Sequence, residues 1–390
     1  MGVPKAVIAG GAETRFSRRS GLADLQLLGQ GIRAALADAG LTKDEVNGLA
    51  VCANVLPDDS PYLAEHLGLS TSWVMKADYG GASSVISIGR AVEAIEAGHA
   101  DVVVCAGGGN RAEHTKIQHD VVSPPLDYAH RNFVMPFGDG GANSLFGLVQ
   151  RRHMYEHGTT LEQLGKISVT FRQHAQLNAN ALLHDPLTID DYVSSPLISD
   201  PIRKLDCVMR CAGAAAVIVT TEEIAARHAR RPVYIRAYGE RHGHGSPCPS
   251  PDRLSTGFTD LHDELFTTTQ RQQLDFLQLY DDYPIAVLMQ LEGLGFCRPG
   301  GGGEFIESTD ISLSGELPIN TGGGMLSVGQ PRLAGGFIGI IEAVRQLRGE
   351  AGARQLADAK TGLVTGIGLG AYLGNLVVSS AMILGTEAVS

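Results

Sequence analysis

The sequence contains no long run of lysine and arginine, and its 42 acidic residues outnumber its 31 basic ones. The resulting net charge of -11 argues against nucleic acid or an anionic membrane surface as the main partner. Long apolar stretches are also missing: the N terminus lacks the features of a signal peptide, and no later segment has the character of a membrane span. We therefore expect a cytoplasmic protein that binds neither nucleic acid nor membrane.

Cysteine is scarce, with six residues scattered through a chain of 390. Without secretory features, this usage predicts reduced thiols rather than disulfides. Cys207 and Cys211 have the spacing of a metal-binding pair, but no second pair accompanies them, so buried structural thiols are favoured. His242 and His244 lie in a loop of glycine, serine and proline without acidic or cysteine neighbours at useful spacing. We therefore expect no metal site.

The apolar fraction of 44% and the length predict either two packed halves or one large α/β unit. A glycine-rich turn, an amphipathic helix, a buried strand and a glycine cluster follow one another over residues 78–109, and again over 335–370. This repetition predicts a pseudo-duplicated α/β protein. Residues from about 110 to 206 break the pattern with prolines, histidines and further helices. An excursion of this length usually covers a site.

The stretch from Asn320 to Pro331 contains three consecutive glycines, Gly322 to Gly324, and precedes an apolar helix that would begin at Gly335 and Gly336. Glycine lets main-chain N–H groups approach a ligand closely, and the helix dipole would point into the same pocket. Such donors suit a negative oxygen that develops on a carbonyl substrate. A tight turn without further function is the alternative interpretation.

The segment from Phe276 to Tyr280 has strand character, and Pro284 favours the first turn of a helix just beyond it. Tyr280 would therefore lie at the carboxyl end of a strand, beside a helix N terminus. Ligands of open α/β sheets bind at such ends. The alternative is a core tyrosine with a capped hydroxyl.

Four motifs occur in an order that resembles the thiolase superfamily. They are Gly80-Gly81-Ala82-Ser83, Tyr280-Asp281-Asp282-Tyr283, Asn320-Thr-Gly-Gly-Gly with Gly329-Gln330-Pro331, and Gly366-Ile-Gly-Leu-Gly370. The resemblance covers essentially the whole chain, and it is specifically to the sterol-carrier-protein-type branch, whose members often pair with a small OB-fold (DUF35-type) protein. It implies a five-layer αβαβα sandwich of two pseudo-duplicated halves, residues 1–230 and 231–390, with a loop domain inserted at about 110–206, and a tight homodimer.

The residues at the thiolase catalytic positions differ from those of the family. The position of the nucleophilic cysteine corresponds to Gly81, the histidine of Gly-His-Pro to Gln330, and the second cysteine to roughly Gly366. Tyr280 corresponds to the asparagine or histidine of the Asn-Glu-Ala-Phe-like motif. Thiolysis needs a thiolate and a second base, so ordinary thiolysis is not expected. The glycines of the oxyanion holes and a place for a coenzyme A (CoA) thioester remain.

This loss resembles the aldolases that remove the side chain of steroid CoA esters together with an OB-fold partner. Retro-aldol cleavage needs only a base for the β-hydroxyl proton and stabilisation of the thioester enolate until it is reprotonated. The resemblance predicts a carbon–carbon lyase for a β-hydroxyacyl-CoA with a steroid or isoprenoid tail, without a permanently bound cofactor, in a heterotetramer of two chains and two partners. A thiolase-like C-acyltransferase and a non-catalytic acyl-CoA-binding subunit are the alternatives.

Tyr280 is predicted to be the proton-transfer residue, with Gly81, Gly324 and Gln330 positioning or stabilising the enolate oxygen. To act as a base near neutrality, its pKa of about 10 would have to be lowered by a helix N terminus or neighbouring donors. Because Gln330 does not exchange protons, Tyr280 acts alone or with a second group. The candidates for that group are Asp282, Tyr283, Tyr128, His119 and Tyr372.

The other candidates are assigned by position or by charge. Ser83, Asn320, Gly323 and Gly368 belong to the motifs above and are predicted to bind the substrate or its oxyanion. The phosphates of CoA have no evident basic cluster, and Arg203, Lys204 and Arg210 are candidates by charge alone. A solvated surface face is the favoured interpretation for these three.

Overall fold

The computed structural model describes residues 5–52, 60–110, 132, 135–138, 141–228, 231–243, 254–368 and 378–388. The strands in these ranges are β1 (Ala6–Glu13), β2 (Gly48–Cys52), β3 (Trp73–Lys76), β4 (Val102–Gly109), β5 (Leu197–Ser199), β6 (Ile202–Arg203), β7 (Gly213–Thr221), β8 (Val233–His242), β9 (Phe276–Gln278), β10 (Thr361–Gly368) and β11 (Val378–Gly385). The helices are α1 (Asp24–Ala39), α2 (Ser60–Leu67), α3 (Ser83–Glu96), α4 (Ala142–His157), α5 (Leu161–Gln176), α6 (Ile189–Ser194), α7 (Glu222–Arg227), α8 (Phe258–Leu265), α9 (Pro284–Gly293), α10 (Gly302–Ser308), α11 (Gly324–Val328) and α12 (Gly335–Arg348). His119, Tyr128, His244, Gly370 and Tyr372 lie outside the described residues.

Local sequence signals account for several of these boundaries. Helix α1 ends at Gly40, whose φ of 71° lies in the left-handed region that glycine adopts without strain. Helix α5 starts after Thr160, where Thr160 and Gln163 each accept the other's backbone N–H through their side-chain oxygens, at 3.2 and 3.1 Å. Helix α9 starts with Pro284, whose fixed φ suits the first turn. The start of α9 therefore follows directly on the Tyr280–Tyr283 segment.

Nine strands form one mixed sheet in the order β3-β2-β4-β7-β1-β8-β11-β10-β9. In the first group β2 is parallel to β3 and β4, and β7 is antiparallel to β4 and β1. In the second group β9 is parallel to β10, and β11 is antiparallel to β10 and β8. Two antiparallel residue pairs, Val7 with Tyr234 and Ile8 with Val233, join the groups. The second group thus repeats the first in mirrored order, and the predicted pseudo-duplication is confirmed.

The helices complete a layered α/β arrangement. Helices α3 and α12 pack between the two groups of strands, where Ile88 and Ile341 share one buried cluster with Val217 of β7 and Met382 of β11. Helix α1 covers the outer face of the first group. Helices α8 and α9 cover the outer face of the second. The layers follow the order α, β, α, β, α, with the difference that the β1–β8 pairing joins the two β layers at one edge. The boundary near residue 230 stays a prediction.

Helix α5, in the predicted insertion, covers the glycine-rich stretch of the second half. His174 Nδ1 lies 3.1 Å from the carbonyl oxygen of Asn320, and Asn178 Nδ2 donates to the carbonyl oxygen of Gly322 at 2.9 Å. Residues 318–329 are all buried. The insertion therefore packs against this stretch and buries it, so the stretch is not open to a ligand.

Three further observations concern expectations from composition. Within the described ranges, no helix is both long and apolar enough to cross a membrane. No group of three or more histidine, cysteine, aspartate or glutamate residues in those ranges is arranged to hold a metal ion. The free thiols are Cys52, Cys105, Cys207, Cys211 and Cys297, and Cys248 lies outside the described residues.

Candidate active site

A cleft of about 480 Å³ lies beyond the ends of β9 and β10, where α3 and α9 begin. Its walls come from both halves and from the insertion, and they include Gly81, Asn143, Tyr280, Asp282, Tyr283 and Gln330. All four residues predicted to be catalytic therefore meet in one place. The location also agrees with the rule that ligands of α/β sheets bind at the carboxyl ends of parallel strands.

Tyr280 follows β9 by two residues, and its backbone is fixed by buried side chains. Its N–H donates to Thr365 Oγ1 at 2.9 Å, and its carbonyl oxygen accepts a hydrogen bond from Gln290 Nε2 at 2.7 Å. The side chain is 7% exposed. The phenol is thus held in one position at the floor of the cleft.

The hydroxyl of Tyr280 lies between Gln330 and Gly81. Gln330 Nε2 donates to it at 3.3 Å, and the backbone of Gln330 is itself paired with Met209 and Cys211, at 2.8 and 3.1 Å. On the other side, a Cβ at position 81 would overlap the Cζ atom and the hydroxyl of Tyr280. The tyrosine therefore fills the space that a side chain at the position of the thiolase nucleophile would need.

Burial raises the pKa of Tyr280 above its ordinary value, and the charge of Asp282 raises it further. The hydrogen bond from Gln330 lowers this pKa but does not compensate. The condition for Tyr280 to act as a base near neutrality, a lowered pKa, is therefore not met, because one neutral donor does not replace the water that a phenolate would lose. Tyr280 is protonated at neutral pH. Since Gln330 uses an acceptor site of the oxygen, the hydroxyl proton remains available to a ligand.

Asp281 and Asp282 are neighbours in sequence but have different surroundings. Asp281 accepts the N–H groups of Met325 and Leu326 at 2.8 and 3.2 Å, in the first turn of α11. Asp282 lines the cleft, is 9% exposed, and has no donor at its Oδ1 among the described residues. Burial raises the pKa of Asp282 to about 7, although its own N–H and that of Tyr283 lower it. A fraction of this carboxyl is therefore ionised at neutral pH.

Tyr283 ties the insertion to the cleft. Its hydroxyl donates to Asn143 Oδ1 at 2.5 Å, and its ring stacks on Phe146 with the centroids 4.2 Å apart. Burial, followed by the charge of Asp282, raises the pKa of Tyr283. Because its proton is donated to Asn143, Tyr283 positions the wall of the cleft. Asn143 was not among the candidates from sequence, since a polar residue at the start of a helix carries no signal of what it will meet.

Cys207 also lines the cleft, where its sulfur lies 3.6 Å from Asn143 Oδ1 and 3.4 Å from the carbonyl oxygen of Arg203, the two acceptors available to its single proton. Burial, followed by the charge of Asp206, raises the pKa of this thiol to about 12. The reactive form of cysteine is the thiolate. The thiol of Cys207 is therefore protonated at neutral pH; of the two cysteines expected to be buried structural thiols, Cys211 is buried, whereas Cys207 is half-buried and lines the cleft.

Two arginines lie at the cleft. Arg210 is exposed and lines it, so one of the three cationic candidates is at the site. Arg332 was missed from sequence; its guanidinium pairs with Asp24 at 3.3 Å, and its φ of 51° is unusual for a residue other than glycine. Arg203 lies elsewhere, where its side chain donates to the carbonyl oxygen of Ser195 at 2.7 Å.

Asn320, Gly323 and Gly324 are not part of the cleft wall in the described structure. The side chain of Asn320 makes two hydrogen bonds to the backbone of Leu279. Its Oδ1 accepts from the N–H at 2.7 Å, and its Nδ2 donates to the carbonyl oxygen at 2.9 Å. Asn320 and Gly324 border a smaller cavity of about 20 Å³ behind Tyr280. Gly323 packs so closely on Ala175 of α5 that a Cβ would lie 2.5 Å from that residue. This arrangement differs from the expected oxyanion hole, because the insertion buries the loop.

The start of α12 differs from the expectation in the same way. Gly335 and Gly336 border the smaller cavity, so the N terminus of α12 lies behind the site. Helix α3 instead begins at the cleft, with Gly80 and Gly81 in its wall. The helix terminus nearest the candidate chemistry is therefore that of α3.

Ser83 and Gly368 support the cleft without lining it in the described structure. Ser83 Oγ accepts the N–H of Tyr79 at 2.8 Å and donates to the carbonyl oxygen of Gly80 at 2.7 Å, which closes the turn before α3. At Gly368 a Cβ would overlap the carbonyl oxygen of Tyr79. Both residues shape the turn that brings Gly81 to Tyr280.

Comparison with known proteins agrees with this geometry. Residues 251–386 match the thiolase C-terminal domain-like family. The steroid side-chain-cleaving aldolase of Thermomonospora curvata is 31% identical over 397 residues, with 98% of each chain covered. The 17-hydroxy-3-oxo-4-pregnene-20-carboxyl-CoA lyase of Mycobacterium tuberculosis is 32% identical over 404 residues, covering 98% of this chain and 99% of the relative.

The chain belongs to the thiolase superfamily. Among solved structures, the Ltp2-ChsH2(DUF35) aldolase is similar, with a TM-score of 0.85 and 30% identity over 98% of both chains. The predicted family resemblance and the thiolase-like α/β fold are confirmed. Within the superfamily, these full-length similarities group the chain with steroid side-chain-cleaving aldolases.

Proposed function

We propose that this chain is a carbon–carbon lyase that cleaves a β-hydroxyacyl-CoA by a retro-aldol reaction. The observation that carries the proposal is the position of Tyr280, whose phenol fills the place of the thiolase nucleophile beside Gly81. Gln330 and Asp282 lie around the same cleft. A phenol and a carboxyl transfer protons, which retro-aldol cleavage requires, whereas acyl transfer through a cysteine requires a thiolate.

The reaction has three parts. A base takes the β-hydroxyl proton, the Cα–Cβ bond breaks with its electron pair moving to Cα and the thioester carbonyl, and the enolate is protonated at Cα. The products are a ketone or aldehyde and a shorter acyl-CoA. Tyr280, protonated because its pKa is raised, supplies a proton at the cleft, and Gln330 holds its hydroxyl. Gly81 lines the cleft at the start of α3, and we expect its backbone to stabilise the enolate oxygen.

Acyl transfer through a cysteine has less support. At Gly366 a Cβ would lie 2.8 Å from Ala82 Cα and 2.9 Å from the carbonyl oxygen of Gly81, so a second cysteine does not fit. Cys207 is the one thiol among the described residues of the cleft wall, and its pKa of about 12 keeps it protonated. A binding subunit without catalysis is the remaining alternative, and the Tyr280 variant below tests it.

The names of similar proteins guide the choice of substrate and partner. Two full-length relatives are named for steroid side-chain cleavage and for a 20-carboxyl-CoA lyase, which supports a steroid or isoprenoid CoA thioester and a place in steroid degradation. The similar solved structure is an aldolase with a DUF35 chain, which supports an OB-fold DUF35 partner here. A heterotetramer built on a homodimer is proposed from the family resemblance alone. The five cysteines in the described ranges are free thiols, which supports a cytoplasmic location.

The test is a mass-spectrometric assay of the chain, with and without a co-expressed DUF35 partner, on a β-hydroxyacyl-CoA with a steroid-like tail. We expect a ketone and a shorter acyl-CoA, and we expect Tyr280→Phe to lower kcat by about 10²–10⁴-fold. Thioester binding by Tyr280→Phe, measured separately, shows that the cleft is intact. Absence of cleavage in both preparations, with the thioester bound, would contradict the proposal, and acyl exchange with an acceptor would identify a transferase.

A further inference from the structure

Asp282 combines three features that the other carboxyls near the cleft do not share. It is buried, it lines the cleft, and its Oδ1 has no donor among the described residues. Asp281 differs, because both of its carboxyl oxygens accept hydrogen bonds, from the N–H groups of Met325 and Leu326. A buried polar atom without a partner is costly unless a ligand or water completes it. The buried carboxyl of Asp282, at the cleft wall and without a full set of hydrogen-bond partners, therefore suits a hydrogen-bond donor on the substrate.

The proposed substrate has one such donor next to the bond that breaks. We propose that Asp282, rather than Tyr280, binds the β-hydroxyl of the thioester through its carboxylate and removes its proton. This inference rests on the proposed lyase function and divides its chemistry between two residues. Asp282 is the base for the hydroxyl, and Tyr280 is the acid for the carbon.

The steps balance. The β-hydroxyl proton moves to Asp282, the C–O bond becomes a carbonyl, and the Cα–Cβ pair moves to Cα to give the enolate. The phenol of Tyr280 then protonates Cα, which is far more basic than a phenolate. The proton held by Asp282 returns to the phenolate, so both residues are restored. No oxidant, metal or covalent intermediate is needed.

The charges around the cleft agree with this division. Besides Asp282, the ionisable side chains in the described cleft wall are those of Cys207, Arg210, Tyr280, Tyr283 and Arg332, with Asp281 behind them. Burial raises the pKa of Asp282 to about 7, which suits a general base at neutral pH. The pKa of Tyr280 is raised away from neutrality, so its phenolate is hardly populated in the resting enzyme. Tyr280 therefore begins protonated and a fraction of Asp282 begins ionised, as their two steps require.

A ligand-and-variant cycle tests the contact directly. Turnover is stopped with Tyr280→Phe in the complex with the DUF35 partner, and affinities are measured for a β-hydroxyacyl-CoA and for the same thioester without the hydroxyl. We expect the hydroxylated ligand to bind about tenfold more tightly or better, and we expect Asp282→Ala to reduce that ratio to within about twofold. An unchanged ratio in Asp282→Ala would overturn the inference, because the hydroxyl would then be bound elsewhere.

The second measurement follows cleavage. Asp282→Asn should lower kcat by about 10²–10⁴-fold with little change in thioester affinity, and should remove the rise in kcat/KM with pH near neutrality that a base with this pKa produces. Asp190→Asn, an exposed carboxyl on α6, is the matched control and should leave both unchanged. Cleavage by Asp282→Asn within tenfold of the native complex would overturn the inference alone. Failure of the native complex to cleave any β-hydroxyacyl-CoA would overturn the proposed function, and this inference with it.

Discussion

The phenol of Tyr280 occupies the space that a side chain at position 81 would need. A Cβ at position 81 would overlap the ring and hydroxyl of Tyr280, and the tyrosine is held from behind by Thr365 and Gln290. A thiolase nucleophile and this tyrosine are mutually exclusive here.

Gly81→Ala should inactivate the chain while leaving it folded. The added methyl group displaces the Tyr280 ring toward the cleft and breaks its hydrogen bond from Gln330. Overpacking of this kind costs about 1–3 kcal/mol. We expect a cleavage rate close to that of Tyr280→Phe, measured with the assay above, and a modest loss of thermal stability. Combining Gly81→Ala with Tyr280→Ala should recover part of that stability; full additivity of the two losses would contradict the contact.

Gln330→Met should remove a hydrogen bond that positions the Tyr280 hydroxyl while leaving the chain folded. The methionine keeps the length of the side chain but removes the Nε2 donor that lies 3.3 Å from the phenol. A neutral hydrogen bond contributes about 0.5–1.5 kcal/mol, so we expect kcat to fall roughly three- to tenfold. Steady-state kinetics check this. A higher KM with an unchanged kcat would mean that Gln330 binds substrate and does not position Tyr280.

Asn320→Ala should act on stability, because the Asn320 side chain makes two hydrogen bonds to the Leu279 backbone and its φ is 50°. Both bonds are lost and an alanine is strained at this φ, so we expect a destabilisation of about 2–4 kcal/mol in denaturant unfolding. Asn320→Gly is the matched control, since glycine accepts the backbone conformation but loses the same bonds. It should be destabilised less than Asn320→Ala. Equal stability of all three chains would contradict a structural role.

Cys207 should resist alkylation at neutral pH. Burial raises its pKa from an ordinary value near 9 to about 12, so its thiolate fraction at pH 7 falls by roughly three orders of magnitude. Mass spectrometry after iodoacetamide treatment of the folded chain measures the rate, which should rise about tenfold per pH unit between pH 7 and 9. Denatured chain provides the reference rate. Rapid labelling of Cys207 in the folded chain at pH 7 would reopen the case for a cysteine nucleophile.

Asp282 should make the folded chain less stable as pH rises. Its pKa is about 7 in the folded chain and about 4 when unfolded, so the folded state binds the proton more tightly. The stabilisation is complete below about pH 4 and is lost as pH rises through about 7. Between pH 5 and 8 we expect this group to remove on the order of 2 kcal/mol from the free energy of unfolding, measured with urea.

Asp282→Asn removes this titration, so that variant should be more stable than the native chain at pH 8 and less dependent on pH. Asp190→Asn, whose carboxyl is exposed, should keep the native trend. An identical pH trend in Asp282→Asn and the native chain would show that another group causes it.

Much of the fold was predictable because its signals are local. Helical spacing, glycine at helix ends and Pro284 at the start of α9 act over a few residues, and their repetition along the chain predicted two similar halves. The order of the motifs identified the family and brought Tyr280, Gly81 and Gln330 forward as candidates. These three do meet in one cleft. Their roles stay predictions until the variants are measured.

The glycine-rich stretch shows where local signals stop. Its three glycines predicted exposed backbone donors, but α5 covers the loop and His174 and Asn178 bind its carbonyl groups. These contact partners lie more than a hundred residues from the loop along the chain, so the sequence of the loop alone does not predict them. Asn143 reaches the cleft for the same reason, through a helix of the insertion.

The sequence by itself determined the layered α/β architecture, the absence of a cysteine at the nucleophile position and the presence of an acidic pair after Tyr280. Only the tertiary structure decided that Asp281 accepts hydrogen bonds from a helix while Asp282 lines the cleft, and that the pKa of Tyr280 is raised. The physical reason is that periodicity depends on neighbours along the chain. Desolvation and hydrogen bonding depend on neighbours in space, and those come from every part of the fold.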